Sequence, residues 1–139
     1  MTSLFRLNLI VPAAAIDDNG HVNNVVYVQW MQDVATAHAD QAGYGAKDCL
    51  ALGGTWVVRS HHIDYLGSAR HGDHLWLETW VAELGRSGCR RGYRFLRAGD
   101  GRILARAHSH YVHVNAVSGR PQALPAALVA KVSLHPQDG

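Results

Sequence analysis

Phe5, Leu7, Leu9 and Val11 alternate with Arg6 and Asn8, so residues 4–11 read as a strand that Pro12 ends. A polar, Gly-containing loop runs on to Asn23. The only long helical pattern follows. Gln29, Gln32, Asp33, Thr36 and Asp40 fall on one side, and Tyr27, Trp30, Met31, Val34, Ala35 and Ala42 fill a broad opposite side. Asn23 or Asn24 caps its start, and Gly43 suits the C′ position. A helix over 25–42 is roughly 27 Å long, and so wide an apolar face needs something wrapped around it.

Four segments, 54–66, 73–84, 88–98 and 102–115, are rich in Val, Ile, Tyr, Trp and Leu and are separated by turn signals. Those signals are Gly67 through Gly72, Gly85 through Gly88, and Gly99-Asp100-Gly101. Short loops between successive strands require antiparallel pairing. Ile103, Ala105, Ala107, Ser109 and Tyr111 share a face of mostly small residues, suited to close approach by a helix. Residues 121–132 are expected to add a short helix. The pattern predicts an α+β architecture: strand, long helix, then four antiparallel strands. One helix on one sheet leaves an outer face partly apolar and two open edges, for which dimerisation is the expected remedy.

Composition narrows the classes. A chain of 139 residues with 47% hydrophobic residues is expected to form one domain over 1–139. Thirteen Lys plus Arg against eleven Asp plus Glu give a net charge of +2, with no run of five like charges, so no nucleic-acid partner is expected. Arg90, Arg91, Arg94 and Arg97 read as a solvated strand face. Cys49 and Cys89 form neither a metal spacing nor a disulfide framework, which favours a reducing, cytoplasmic setting. Ala13-Ala14-Ala15 resembles a signal-peptidase site, but Arg6 and Asn8 interrupt the preceding apolar stretch. No apolar run approaches the roughly 18 residues of a membrane span. Ten histidines include the pairs His61-His62, His71 with His74, and His108 with His110. None is joined by a carboxylate or cysteine at a familiar spacing, so neither a metal nor a cofactor is expected.

The candidate chemistry lies at Asp17-Asp18-Asn19-Gly20-His21-Val22-Asn23-Asn24, directly before the helix. Unpaired N–H groups and the dipole at a helix start favour negative charge and are able to hold a developing oxyanion. The same residues also suit a purely structural role. Asp17 or Asp18 would cap a turn, Gly20 would relieve a strained backbone, and Asn23 or Asn24 would cap the helix.

Asp-x-Asn-Gly-His-Val-Asn-Asn-x-x-Tyr, read from Asp17 to Tyr27, resembles the signature of hotdog-fold thioesterases. These include the 4-hydroxybenzoyl-CoA thioesterase-like acyl-CoA thioesterases and the acyl-ACP thioesterases. The resemblance continues through Ile63-Asp64-Tyr65-Leu66, Ala69-Arg70-x-Gly72-Asp73, Glu83-Leu84-Gly85-Arg86-Ser87 and Ser118-Gly119-Arg120-Pro121. It implies a five-stranded antiparallel sheet wrapped around one long central helix, assembled as a homodimer or homotetramer, and an enzyme of lipid metabolism acting on acyl-CoA or acyl-ACP. Asp17 matches the catalytic carboxylate, as nucleophile or general base. Asn24 matches the position whose backbone amide polarises the thioester carbonyl, and Asn19 and His21 match residues grouped with the aspartate. Gly20 would permit tight approach. Ala15 departs from the pattern, since many relatives carry a second acid there.

For the CoA phosphates the candidates are Arg59, Arg86, Ser87, Arg90 and Arg91, with Arg86-Ser87 best matching the family's ligand-bearing turn. Tyr27, Trp30 and Met31, with Trp56 or Val58, would line an acyl slot. Two competing readings are a hotdog-fold hydratase or dehydratase and a non-catalytic acyl-CoA-binding module. The first carries Asp-x-Asn-Pro-x-His, with a proline and a spacing this chain lacks.

Overall fold

The computed structural model describes residues 3–135. Its order is β1 (Phe5–Ile10), α1 (Asn24–Ala42), α2 (Ala46–Ala51), β2 (Gly54–Tyr65), β3 (His74–Leu84), β4 (Gly88–Arg97), β5 (Ile103–Asn115) and α3 (Ala126–Val129). The five strands form one antiparallel sheet in the order β1-β3-β4-β5-β2, so β1 and β2 are its edges.

One face of the sheet carries α1. Tyr27, Trp30, Met31, Val34 and Ala35 pack against Leu75 and Leu77 of β3, Tyr93 and Phe95 of β4, and Ala105 and Ala107 of β5. The small-residue face of β5 lets the helix approach, and Ser109 on that face is fully buried. A second cluster (Tyr44, Cys49, Val81 and Leu128) closes the far end of α1, with Trp56 packed against it.

Two findings depart from the sequence reading. The six-residue α2 was not expected, being too short for its periodicity to register; the Asp48 carboxylate caps it by accepting from the Gly45 N–H at 3.0 Å. α3, four residues long, is the short helix expected within 121–132. The arginines of β4 do not share a solvated face, because alternation turns Arg91 towards α1, where it is 4% exposed. Arg94 lies on the other face and pairs at 2.7 Å with Glu78, which Arg6 also approaches at 3.5 Å. Between Val58 and Ser60 the register with β5 shifts, leaving Arg59 unpaired in the ladder.

Candidate active site

The loop before α1 is a tight hairpin. Ile16 and Val22 bridge, the Asp17 N–H donates to the His21 carbonyl at 2.9 Å, and the Gly20 N–H donates to the Asp17 carbonyl at 3.0 Å. Gly20 sits at φ 77°, a left-handed conformation that glycine adopts without strain. The Asp17 Oδ1 accepts from the Asn19 N–H at 2.9 Å, and its Oδ2 has no partner among the described residues. The loop is pinned by Val22 N–H to Ala69 and Asn23 N–H to Ala15, both at 2.9 Å.

Asn23, of the two possible caps, caps α1. Its Oδ1 accepts from the Val25 N–H at 2.9 Å, and its carbonyl accepts from the Val26 N–H. The Asn24 N–H is left without a hydrogen bond to any described residue. The structural reading of the segment therefore holds in full, yet it leaves one carboxylate oxygen and one helix-start amide free.

Both residues line one cleft of about 430 Å³, together with Asn19, His21 and Tyr27. Asp17 is half-buried; Asp18 is exposed and does not line the cleft, and neither does Gly20 at the turn tip. Tyr27 is 2% exposed, its ring stacked on Phe95 and edge-on to Trp30 and Tyr65, so it reaches the cleft from the core. Burial, then the neighbouring Tyr65, pushes its phenol above the ordinary range, which keeps it neutral. The sequence reading missed Tyr65, Gly67 and Ser68 as cleft residues. Tyr65 donates its hydroxyl to the Asn24 carbonyl at 3.1 Å, tying the end of β2 to the start of α1. Its place at the end of an aromatic and β-branched run was the available signal.

The cationic candidates lie elsewhere. Arg59, Arg86, Ser87 and Arg90 line a separate cleft of about 400 Å³ around the β3–β4 turn. Tyr65 pairs beside Ala105, and Gly88 pairs beside Val112. Seven residues of strand separate those points, about 23 Å. Arg90 is engaged by Glu83 at 3.1 and 3.2 Å, whereas the Arg59 and Arg86 side chains make no hydrogen bond or ion pair to the described residues. Arg91, also considered for phosphates, is buried. Trp30 and Met31 belong to the core, and Trp56 and Val58 line a third cavity with Arg91. No three His, Cys, Asp or Glu side chains among the described residues are grouped to hold a metal; His62 stacks on His108 at 5.0 Å, and His108 meets His110 edge-on.

The model of the thioesterase-like superfamily matches residues 11–132, and the chain belongs to that family. It is 30% identical over 125 residues, 88% of its length, to L-carnitine dehydrogenase/betainyl-CoA thioesterase of Rhizobium meliloti, covering 24% of that protein. It spans a quarter to a third of the curated relatives it matches, 24% to 34%. Among solved structures, Slr0204 of Synechocystis, a 1,4-dihydroxy-2-naphthoyl-CoA thioesterase, superposes with a TM-score of 0.84 at 18% identity, over 93% of this chain and 95% of that one. SAV2348 of Staphylococcus aureus, solved in complex with CoA, superposes with a TM-score of 0.86 at 20% identity, over 92% and 80%. The fold is thus the hotdog fold expected from the sequence. No helix among the described residues is long and apolar enough to cross a membrane.

Proposed function

We propose that this chain is a thioester hydrolase that cleaves acyl-CoA or acyl-ACP to the free acid and the thiol. The observation that carries this reading is the pairing, in one cleft, of a free Asp17 carboxylate oxygen with the unpaired Asn24 amide. The carboxylate acts on the carbonyl carbon, directly or by taking a proton from water, while the Asn24 N–H holds the oxyanion that forms. Collapse of that intermediate expels the thiolate, which takes up the proton that water gives; in the base route this yields the free acid at once, and in the direct route water then hydrolyses the acyl–Asp17 anhydride. Asn19 and His21 steady water and charge beside the carboxylate. Tyr27 walls the substrate side of the cleft, and Gly20, outside it, contributes to substrate binding by shaping the turn that carries Asp17.

Arg59, Arg86, Ser87 and Arg90 are assigned to the phosphates of the thiol carrier. Their separation from Asp17 within one chain is accounted for by a homodimer or homotetramer, in which a neighbouring copy supplies the second cleft. The setting we assign is cytoplasmic, with residues 1–139 acting as one domain.

Thiol release from a panel of acyl-CoA substrates tests the reading. Asp17→Ala is expected to lower kcat by about 100-fold or more, while Asp18→Ala retains most activity. A wild type that releases no thiol from any member overturns the assignment. Full activity in Asp17→Ala would move the site elsewhere.

A further inference from the structure

Arg91 is a cation buried without an anion. The residue is 4% exposed, yet its guanidinium forms no ion pair among the described residues. Its contacts are to His38 Nδ1 at 2.8 Å, Thr79 Oγ1 at 3.1 Å and the Tyr44 hydroxyl at 3.5 Å. A guanidinium has no lone pair to accept with, so His38 Nδ1 must be the acceptor and the ring neutral. Burial, then the neighbouring guanidinium, lowers the His38 pKa to about 4, in keeping with that state. Three of the guanidinium's N–H groups are accounted for by these contacts, leaving about two of its five donors without a protein acceptor.

The surroundings point to what supplies the missing charge. Arg91 reaches the wall of a cavity of about 310 Å³ between α1, α2 and the sheet, which Trp56, Tyr111, Ala39 and Cys89 also line. A dry cavity of about 150 Å³ holds a benzene, so this one suits an apolar body of roughly twice that size. Burying a cation is tolerated when a hydrogen-bonded anion meets it, and a carboxylate matches the guanidinium fork.

We propose that this cavity is a binding site for a small monocarboxylate, its carboxylate held by Arg91 and its apolar body by Trp56, Tyr111 and Ala39. The aromatic walls would also suit a quaternary ammonium, and Asp40 stands at the rim. Asp40 is exposed, however, and makes no ion pair with Arg91, so the buried charge facing the cavity is positive. Within one chain the cavity shares no lining residue with the Asp17 cleft.

Titration calorimetry with octanoate, octan-1-ol and octyltrimethylammonium tests this on the wild-type chain. Octanoate is expected to bind with a sub-millimolar Kd, and the other two at least about tenfold more weakly. Arg91→Met, near in volume, should fold and lose at least about tenfold in octanoate affinity. Ala39→Leu, which fills the cavity and leaves the guanidinium alone, should lose it as well. The proposal is overturned if octanoate does not bind, or if the alcohol or the ammonium binds as well as the acid. It is equally overturned if both variants bind octanoate like the wild type. Should Arg91→Met fail to fold, the three-ligand comparison and Ala39→Leu decide the matter.

Discussion

At the residue scale, the sharpest division of labour is between Asn23 and Asn24. The sequence marked both as possible caps; only the fold assigns the side-chain bond to Asn23 and leaves the Asn24 amide open. The two roles are separable by experiment. Removing the Asn23 side-chain Oδ1 strands the Val25 N–H, and Asn23→Ala is expected to cost about 1 kcal/mol of unfolding free energy, read from urea denaturation. Asn24→Ala keeps its backbone N–H, so it should leave both stability and the oxyanion contact nearly unchanged. A large loss of activity in Asn24→Ala would show that the side chain, not the amide, does the work. The proposal of Asp17 rests on the resemblance of ordered motifs, which singles it out from Asp18. Its geometric distinction, half-buried in the cleft against an exposed neighbour, needed the loop's hydrogen bonds.

At the scale of elements, strands and the long helix were readable because alternation, helical spacing and turn glycines are local signals. β2 through β5 fall within one residue of the segments read from the sequence. What stayed hidden depends on contacts distant in the chain. Alternation places Arg91 opposite Arg90 and Arg94, but which of the two faces meets α1 is settled by long-range packing. The contact of α1 with β4 through His38 and Arg91 has a pH consequence. His38 is neutral in the folded state with a pKa of about 4, whereas in the unfolded chain it titrates near the ordinary 6.5. Between those values the unfolded state binds the extra proton, so this contribution is present above pH 6.5 and is lost as pH falls towards 4. The loss amounts to at most about 3 kcal/mol. Urea midpoints measured from pH 7 to pH 4.5 should therefore fall more steeply in the wild type than in His38→Gln, whose carbonyl oxygen still accepts from Arg91. Parallel profiles would remove His38 as the cause.

At the scale of the whole molecule, the two clefts and the open edge of β2 pose one problem with one solution. β2 is twelve residues long, pairs on one side only, and exposes Val57 and Tyr65 by 46% and 42%. An unpaired edge of that length is a template for another strand. If two copies pair antiparallel through β2 about a twofold axis near its centre, the Tyr65 end of one strand lies beside the Gly54 end of the other. The Asp17 cleft of one copy then approaches the Arg86-Ser87 turn of its neighbour, closing the gap of about 23 Å that separates them within a chain. Arg59, the residue that the register with β5 skips, is where a proline disturbs the ladder least while still blocking edge pairing. Sedimentation is expected to give at least twice the 15.2 kDa chain mass for the wild type and for Arg59→Ala, and a folded monomer for Arg59→Pro. Thiol release should fall by about 100-fold or more in Arg59→Pro, because the carbonyl site loses the groups that hold the thiol carrier. A monomeric wild type with full activity would mean that one chain holds the whole substrate, and the Arg86 turn would then have no part in the reaction.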